Sequence, residues 1–355
     1  MIFTPPRLRD CKQVIAMRWK IGIAVAAMGL AALLYWGLRV YTPSIADDPQ
    51  TPGVAIASLE QVTLGGDKQW ILIRERNRHA PMVLFLHGGP GMPMMYLAHA
   101  FQRPIEDDFL AVQWDRRGAG KTFSVDTNVA KMRVGQEMAD TIELMEILRA
   151  RYGTGKIILI GHSYGSSLGI RVAQARPDLV RAYVGVGQQA CDRSEELKLQ
   201  DAWIANQART RGDAHTSALA TSGKRYDRET YLFRYGGEIV RSTSFLDLLK
   251  IGLHAPEYSL LDAYNVKRGV DFTHRHLKDD GALMDEVKRL AVPVYFFEGR
   301  MDYTTPFTCA QSYFDKLDAP RKRLVWFAHS AHFPFLEEPQ AFAAALRQVA
   351  TDTHG

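Results

Sequence analysis

The sequence predicts an α/β fold: a mostly parallel sheet with helices on both faces and an inserted helical cap. Three observations carry this expectation. Continuous apolar runs at 81–86, 109–114, 180–186 and 292–297, with another opening at 156, have the character of strands buried on both faces. Segments with a helical apolar period alternate with them, as parallel strands joined by crossovers require. From 188 to about 290 the alternation stops, and amphipathic segments follow one another without an intervening buried strand.

A chain of 355 residues with 46% hydrophobic and 23% charged residues is long enough for one large core carrying an inserted subdomain. The net charge of +5 is mild, and much of the excess lies in the first forty residues. No basic stripe with interleaved aromatics is present, which excludes a nucleic-acid partner. Cys11, Cys191 and Cys309 match no metal-ligand spacing and no disulfide framework. A single Cys191–Cys309 bridge in an oxidising compartment is the lesser reading, since nothing in the sequence brings the two together. No cofactor motif and no signal for a particular oligomeric state is found.

In chain order, residues 1–20 form a basic segment with Arg7, Arg9, Lys12, Arg18 and Lys20. Residues 21–38 carry no charge and approach the ~17 to 25 residues a bilayer-crossing helix needs. Basic residues precede the run and Asp47 and Asp48 follow it, so the expectation is a cytoplasmic N-terminus and a membrane anchor holding an extracytoplasmic catalytic part. A cleaved signal, with small residues at Ser44-Ile45-Ala46, is the alternative and gives a secreted or periplasmic protein. Residues 39–56, with Pro43, Pro49, Pro52 and Gly53, are expected to be a linker.

The core is expected over 57–188 and 291–355, with the cap over 189–290. Two short apolar segments around Gly65-Gly66-Asp67 predict a β-hairpin over 59–75. The buried strand at 81–86 runs into His87-Gly88-Gly89-Pro90-Gly91, a loop able to present a bare backbone amide. The strand at 109–114 leads into Asp115-Arg116-Arg117-Gly118-Ala119-Gly120-Lys121-Thr122. This ends like a phosphate-binding loop but has Asp115 where the first glycine belongs and no apolar helix after Thr122, so it is read as a structural turn with buried Asp and Arg hydrogen bonds. A helix over 129–152 is stopped by Gly153.

Gly161-His162-Ser163-Tyr164-Gly165 then follows a strand and opens a helix running to Ala175. The turn is tight enough to force strained dihedrals on Ser163, and a Cβ on either glycine would collide with the adjoining strand or helix. In the cap, segments 195–208 and 243–253 are amphipathic; His274 and His276 lack a third ligand and are read as polar surface rather than metal-binding. Asp302 lies just past the strand at 292–297, and His329 and His332 follow the strand at 323–327, before a closing helix at 339–350.

Ser163, Asp302 and His332 thus occur in an order, and each after a strand, that suits nucleophilic catalysis. The histidine accepts the serine proton, the aspartate orients the imidazole, and backbone N–H groups of Gly89 and Tyr164 receive the developing oxyanion. His332 is preferred to His329 because it stands at the loop apex before the final helix.

Together these blocks resemble the prolyl aminopeptidase (proline iminopeptidase) branch of the α/β-hydrolases. The resemblance rests on His87 to Gly91, Trp114 to Gly120, Gly161 to Gly165, Gly299 to Asp302 and Ser330 to His332, and covers roughly 55–350. It implies Ser163 as nucleophile, Asp302 as acid, His332 as base and Gly89 and Tyr164 as oxyanion donors, acting on a short-peptide or other small-molecule substrate. Two departures stand out: Arg116 where the branch usually has glutamine, and Tyr164 where many aminopeptidases have tryptophan. An aminopeptidase also needs acidic cap residues for the substrate ammonium; Glu195, Glu196, Glu229, Glu238 and Glu257 are available. A carboxylesterase for small hydrophobic esters and a non-catalytic, membrane-tethered binding module remain open as alternatives.

Overall fold

The computed structural model describes residues 8–47, 55–77, 80–277 and 286–354. Its centre is an eight-stranded sheet in the order β1-β2-β4-β3-β5-β6-β7-β8. The hairpin β1 (Ile56–Leu64) and β2 (Asp67–Glu75) turns through Gly65 and Gly66, both at positive φ, and pairs antiparallel with Leu64 opposite Asp67. β2 is also antiparallel to β4 (Leu110–Asp115). From there β3 (Met82–Leu86), β5 (Ile157–His162), β6 (Val180–Val186), β7 (Val294–Gly299) and β8 (Lys322–Phe327) are parallel, so their carboxyl ends gather along one edge.

The two-residue alternation of a strand divides the core into two layers. Met82, Leu84 and Leu86 face one side with Ile157 and Leu159, against Leu144 and Leu148 of α4 (Val134–Tyr152) and Leu168 and Val172 of α5 (Tyr164–Ala175). Val83, Phe85, Ile158 and Ile160 face the other side. There they meet Phe101 of α2 (Ala98–Phe101), Ile105 of α3 (Arg103–Glu106) and Phe342 and Leu346 of α13 (Pro339–Asp352). Burying one such side chain contributes about 1.5–3 kcal/mol relative to leaving it in water. The inner strands have this on both faces, which is why their sequences are continuous apolar runs.

Among the described residues five helices lie between β6 and β7: α6 (Arg193–Thr210), α7 (Ala214–Thr221), α8 (Arg228–Tyr235), α9 (Phe245–Gly252) and α10 (Leu260–His276). Asp192, Asp213 and Asp227 cap the first three through side-chain oxygens, and Ser259 with Asp262 forms a capping box on α10. Ile204, Ala208, Ala220, Leu232 and Tyr235 give the insertion a small core of its own. α11 (Phe307–Lys316) and α12 (Pro334–Glu337) complete the chain.

Several sequence expectations need correction. α4 starts at Val134 rather than 129; a separate 3-10 turn, Val129–Lys131, precedes it with Asn128 as cap, and Arg133 is extended between them. The short α12 was not foreseen. Cys191 and Cys309 form a disulfide with Cα atoms 5.5 Å apart, because the loop after β6 and the first turn of α11 meet at the foot of the insertion. The turn after β4 is structural as expected: Asp115 is fully buried and accepts from Lys121 N–H at 2.8 Å and from the Tyr258 hydroxyl.

The membrane anchor at 21–38 is overturned. Among the described residues no helix is long and apolar enough to cross a membrane. α1 runs over Leu8–Leu38, and the sequence of its first part, residues 8–20, contains Arg9, Asp10, Lys12, Arg18 and Lys20, so the helix is not apolar along its whole length. The extracytoplasmic placement, by anchor or by cleaved signal, and the membrane as a partner rested on that segment and are withdrawn with it. Part of the expected linker, 48–54, lies outside the described residues; before it, Tyr41 donates to the Pro256 carbonyl at 3.0 Å and Arg74 to the Pro43 carbonyl at 2.8 Å, which ties this stretch to the core.

Candidate active site

Ser163 sits between the end of β5 and the start of α5 with φ 54° and ψ −124°, and among the described residues no other non-glycine has positive φ. Such a conformation costs about 1–3 kcal/mol and persists only where the surroundings enforce it. They do so here: Ser163 N–H donates to the Val186 carbonyl at 2.9 Å, and its carbonyl accepts from Ser166 N–H at 2.8 Å. A Cβ at Gly161 would strike the Gly165 carbonyl and the Ser166 backbone, and one at Gly165 would strike the Leu86 and His87 carbonyls. Gly161 is therefore required for α5 to fold back on its own strand β5, and Gly165 for α5 to lie across the end of β3.

Asp302 and His332 lie on the loops after β7 and β8. His332 Nδ1 is 2.7 Å from Asp302 Oδ2, with the two side chains 2% and 0% exposed. The carboxylate is held in turn by the N–H groups of Thr304 and Thr305 at 2.9 and 3.0 Å and by the Thr305 hydroxyl at 3.1 Å. Burial pulls the His332 pKa down, but the charge and hydrogen bond of Asp302, with Glu238 and Glu196 beyond, outweigh it and the net shift is upward. With Nδ1–H donated to Asp302, Nε2 carries the basic lone pair. His329 is exposed and its N–H goes to Glu338 Oε1, so of the two histidines it is His332 that meets the aspartate.

Ser163 is brought to the same end of the sheet. The His162 ring, one residue before it, is 4.7 Å from the His332 ring, and His162 Nε2 lies 2.9 Å from the His332 carbonyl. No hydrogen bond joins Ser163 Oγ to His332 among the described residues; in ligand-free sites this contact is often long and shortens when substrate is bound.

The loop after β3 closes over the serine. A Cβ at Gly88 would stand 2.9 Å from that of Ser163, and Gly89 has φ +111°, a conformation suited to glycine. Tyr164 is the first residue of α5, where backbone N–H groups point out of the helix toward negative charge. Gly88 of this loop and Tyr164 thus flank Ser163 from two sides, with Gly89 the next residue along the loop.

Of the five cap acids considered, two are buried in this neighbourhood, and a third, Glu229, acts on one of them, Glu238, through its charge. Glu196 on α6 is 2% exposed and Glu238, after α8, is 9% exposed. The Glu238 carbonyl accepts the His332 N–H at 2.9 Å, and its carboxylate accepts from the Thr304 hydroxyl. Burial raises both pKa values to about 7, opposed by Arg193 at Glu196 and by His332 at Glu238. Among the described residues Glu196 Oε1 is buried with no hydrogen-bond partner, while Arg193 is 3.3 Å from Oε2. Glu195 is exposed; Glu229 reaches the surface but its pKa is raised by partial burial and by Asp227; Glu257 lies with Thr42, Arg74 and Glu106 on another part of the molecule.

Sequence reasoning missed Gly187 and Thr305. Gly187, at φ +52°, closes β6 against the imidazole, and Thr305 Oγ1 is 3.0 Å from its carbonyl and 3.2 Å from His332 Nδ1. A glycine directly after a buried strand was the available signal at 187; a hydroxyl residue three past Asp302 was the one at 305. Among the described residues no His, Cys, Asp or Glu cluster is arranged to hold a metal ion. A cavity of about 750 Å3, lined in part by Arg193, Leu197, Tyr226 and Glu229, opens on the insertion; Ser163 and His332 do not line it.

Comparison with known proteins agrees with this architecture. Residues 83–345 match the model of the "Alpha/beta hydrolase family". The chain is 30% identical over 313 residues to "Probable aminopeptidase YbaC" of Bacillus subtilis, covering 83% of this chain and 97% of that protein. It is 25% identical over 279 residues to a "Proline iminopeptidase" of Neisseria meningitidis, covering 71% and 84%. The crystal structure of a proline iminopeptidase from Mycobacterium smegmatis superposes with a TM-score of 0.61 at 19% identity, over 83% of this chain and 98% of that one, a likeness of fold. The chain belongs to the alpha/beta hydrolase family, in the branch that resembles proline iminopeptidases, and is a serine hydrolase of the peptidase or esterase kind.

Proposed function

We propose that this chain is an aminopeptidase that releases an N-terminal residue, proline or one of similar size, from short peptides, through an acyl-enzyme on Ser163. His332 Nε2 takes the Ser163 proton as Oγ attacks the carbonyl carbon, and Asp302 stabilises the imidazolium that forms. The carbonyl oxygen becomes an anion received by the N–H groups of Gly89 and Tyr164; one such donor is worth about 2.7–4 kcal/mol of barrier. His332 then gives its proton to the departing amine, and water, deprotonated by the same histidine, releases the amino acid and restores Ser163.

The observation that carries the peptidase reading is the pair Glu196 and Glu238: two buried carboxylates from the insertion, beside the His332–Asp302 pair, one with an oxygen that has no partner among the described residues. Buried carboxylates without a full set of partners are costly. A substrate ammonium supplies the missing charge and donors, whereas a neutral ester supplies neither. We take the segment 189–290 as the cap that carries these acids over the core.

The test is a panel of prolyl and alanyl naphthylamides, their N-acetylated forms and short p-nitrophenyl esters, with Ser163→Ala as control. Amide turnover that requires the free amine is expected. Ester turnover alone, with no amide cleavage, would assign the chain as a carboxylesterase instead.

A further inference from the structure

The two departures from the aminopeptidase pattern, Arg116 and Tyr164, are in contact. The Arg116 guanidinium carbon lies 5.3 Å from the centre of the Tyr164 ring, in cation–π range. Glu137 of α4 joins both: its Oε2 accepts the Tyr164 hydroxyl at 2.8 Å, and its Oε1 is 4.0 Å from Arg116 Nε. Arg116, Glu137 and Tyr164 are 1%, 3% and 5% exposed.

The same arginine holds the other side of the site. Arg116 Nη2 donates to the His87 carbonyl at 2.6 Å, and Arg116 N–H donates to His87 Nε2 at 3.2 Å. Burial, with Arg116 beside it, pushes the His87 pKa well down, so the ring is neutral. With Nε2 accepting, Nδ1 carries the proton and faces the Gly88 carbonyl at 3.0 Å. In a planar trans peptide the carbonyl of residue 88 and the N–H of residue 89 point in opposite directions. Fixing the Gly88 carbonyl therefore aims the Gly89 N–H.

We propose that Arg116, Glu137 and the Tyr164 side chain form one positioning unit that sets the separation and direction of the two oxyanion donors, Gly89 and Tyr164. Arg116 controls the peptide that carries the first donor; the Tyr164 side chain, clamped between Arg116 and Glu137, controls the residue that carries the second. The unit acts through backbone amides and touches no substrate. This rests on the oxyanion roles given under Proposed function.

The test compares Tyr164→Phe, Arg116→Gln and the double variant in the full chain. Tyr164→Phe keeps the ring and removes only the hydroxyl, so it alone decides the proposal if Arg116→Gln does not fold. Because the unit serves the transition state, kcat is expected to fall about tenfold or more with KM within about twofold. Binding of a substrate-like boronic acid, whose tetrahedral adduct places an oxygen in the hole, is expected to weaken by the same factor as kcat falls. Residues acting as one unit give non-additive losses, so the double variant is expected near the worse single one. A folded Tyr164→Phe protein with kcat within twofold of wild type, a loss confined to KM, or single losses that multiply in the double variant overturns the proposal. If instead Ser163→Ala retains turnover, it is the serine mechanism that falls; a dead Ser163→Ala beside a fully active Tyr164→Phe removes the positioning unit alone.

Discussion

Gly187 is folded so closely against His332 that a methyl group on its Cα would stand 2.6 Å from Nδ1 and 3.0 Å from Asp302 Oδ2. Its φ of +52° adds strain for any L side chain. Gly187→Ala is therefore expected to push the imidazole off the aspartate. A displacement of about 1 Å in such a pair can cost about 100-fold in rate. Steady-state kinetics on a variant checked for folding by near-ultraviolet circular dichroism measure it.

The two histidines of the last loop give a paired prediction. His332→Ala is expected to lower kcat by about 10 000-fold or more, leaving only the contribution of binding and the oxyanion hole. His329→Ala is expected to stay within about twofold of wild type, as expected of an exposed residue with no part in the pair. Retention of activity by His332→Ala together with its loss in His329→Ala would transfer the base to position 329.

Much of this was legible in the sequence, for identifiable reasons. Ser163 and Asp302 follow strands buried on both faces, which are continuous apolar runs that end visibly, and His332 follows the edge strand β8, whose last residues are apolar. The glycines at 161 and 165 announce the turn because only glycine leaves room for α5 against β5 at the first and against β3 at the second. The acids of the cap were not legible. Glu195 and Glu196 are neighbours in sequence, yet one is exposed and the other buried beside the site, and that depends on how α6 lies on the core. The Cys191–Cys309 pairing was hidden in the same way, since the two are 118 residues apart and meet only once the insertion has folded. The N-terminal segment misled the reading because an uncharged run flanked by basic residues has the composition of an anchor.

The acidic pair predicts a pH dependence that differs between substrates. Glu196 and Glu238 have pKa values raised to about 7 by burial, so they protonate as pH falls below about 7 and lose attraction for an ammonium. His332, also raised, must be neutral to act as base, so kcat/KM falls as pH drops through its pKa. KM for a free-amine amide is expected to rise on the acid side, while an uncharged ester shows the histidine limb alone. Glu238→Gln and Glu196→Gln are each expected to raise the amine-substrate KM about tenfold or more, by loss of a charge-assisted contact. Equal effects on amine and ester substrates would argue against ammonium recognition.

The disulfide predicts a stability difference. Cross-linking residues 118 apart removes unfolded-state freedom worth at most about 4–5 kcal/mol in the loop-entropy model. Cys309→Ala, or reduction of the bridge, is expected to lower the denaturant midpoint without changing which substrates are cleaved. Urea titration of the oxidised and reduced protein, with kinetics on both, measures it; identical midpoints would show that the bridge constrains nothing.

The central claim is that Ser163 is the nucleophile, activated by His332 and Asp302. The most direct test is the reaction of the purified chain with a fluorophosphonate, followed by peptide mass spectrometry. The account predicts stoichiometric phosphonylation at Ser163, abolished in Ser163→Ala and slowed at least about 1000-fold in His332→Ala. Labelling at another residue, or a Ser163 that stays unmodified while the protein turns over substrate, would contradict it.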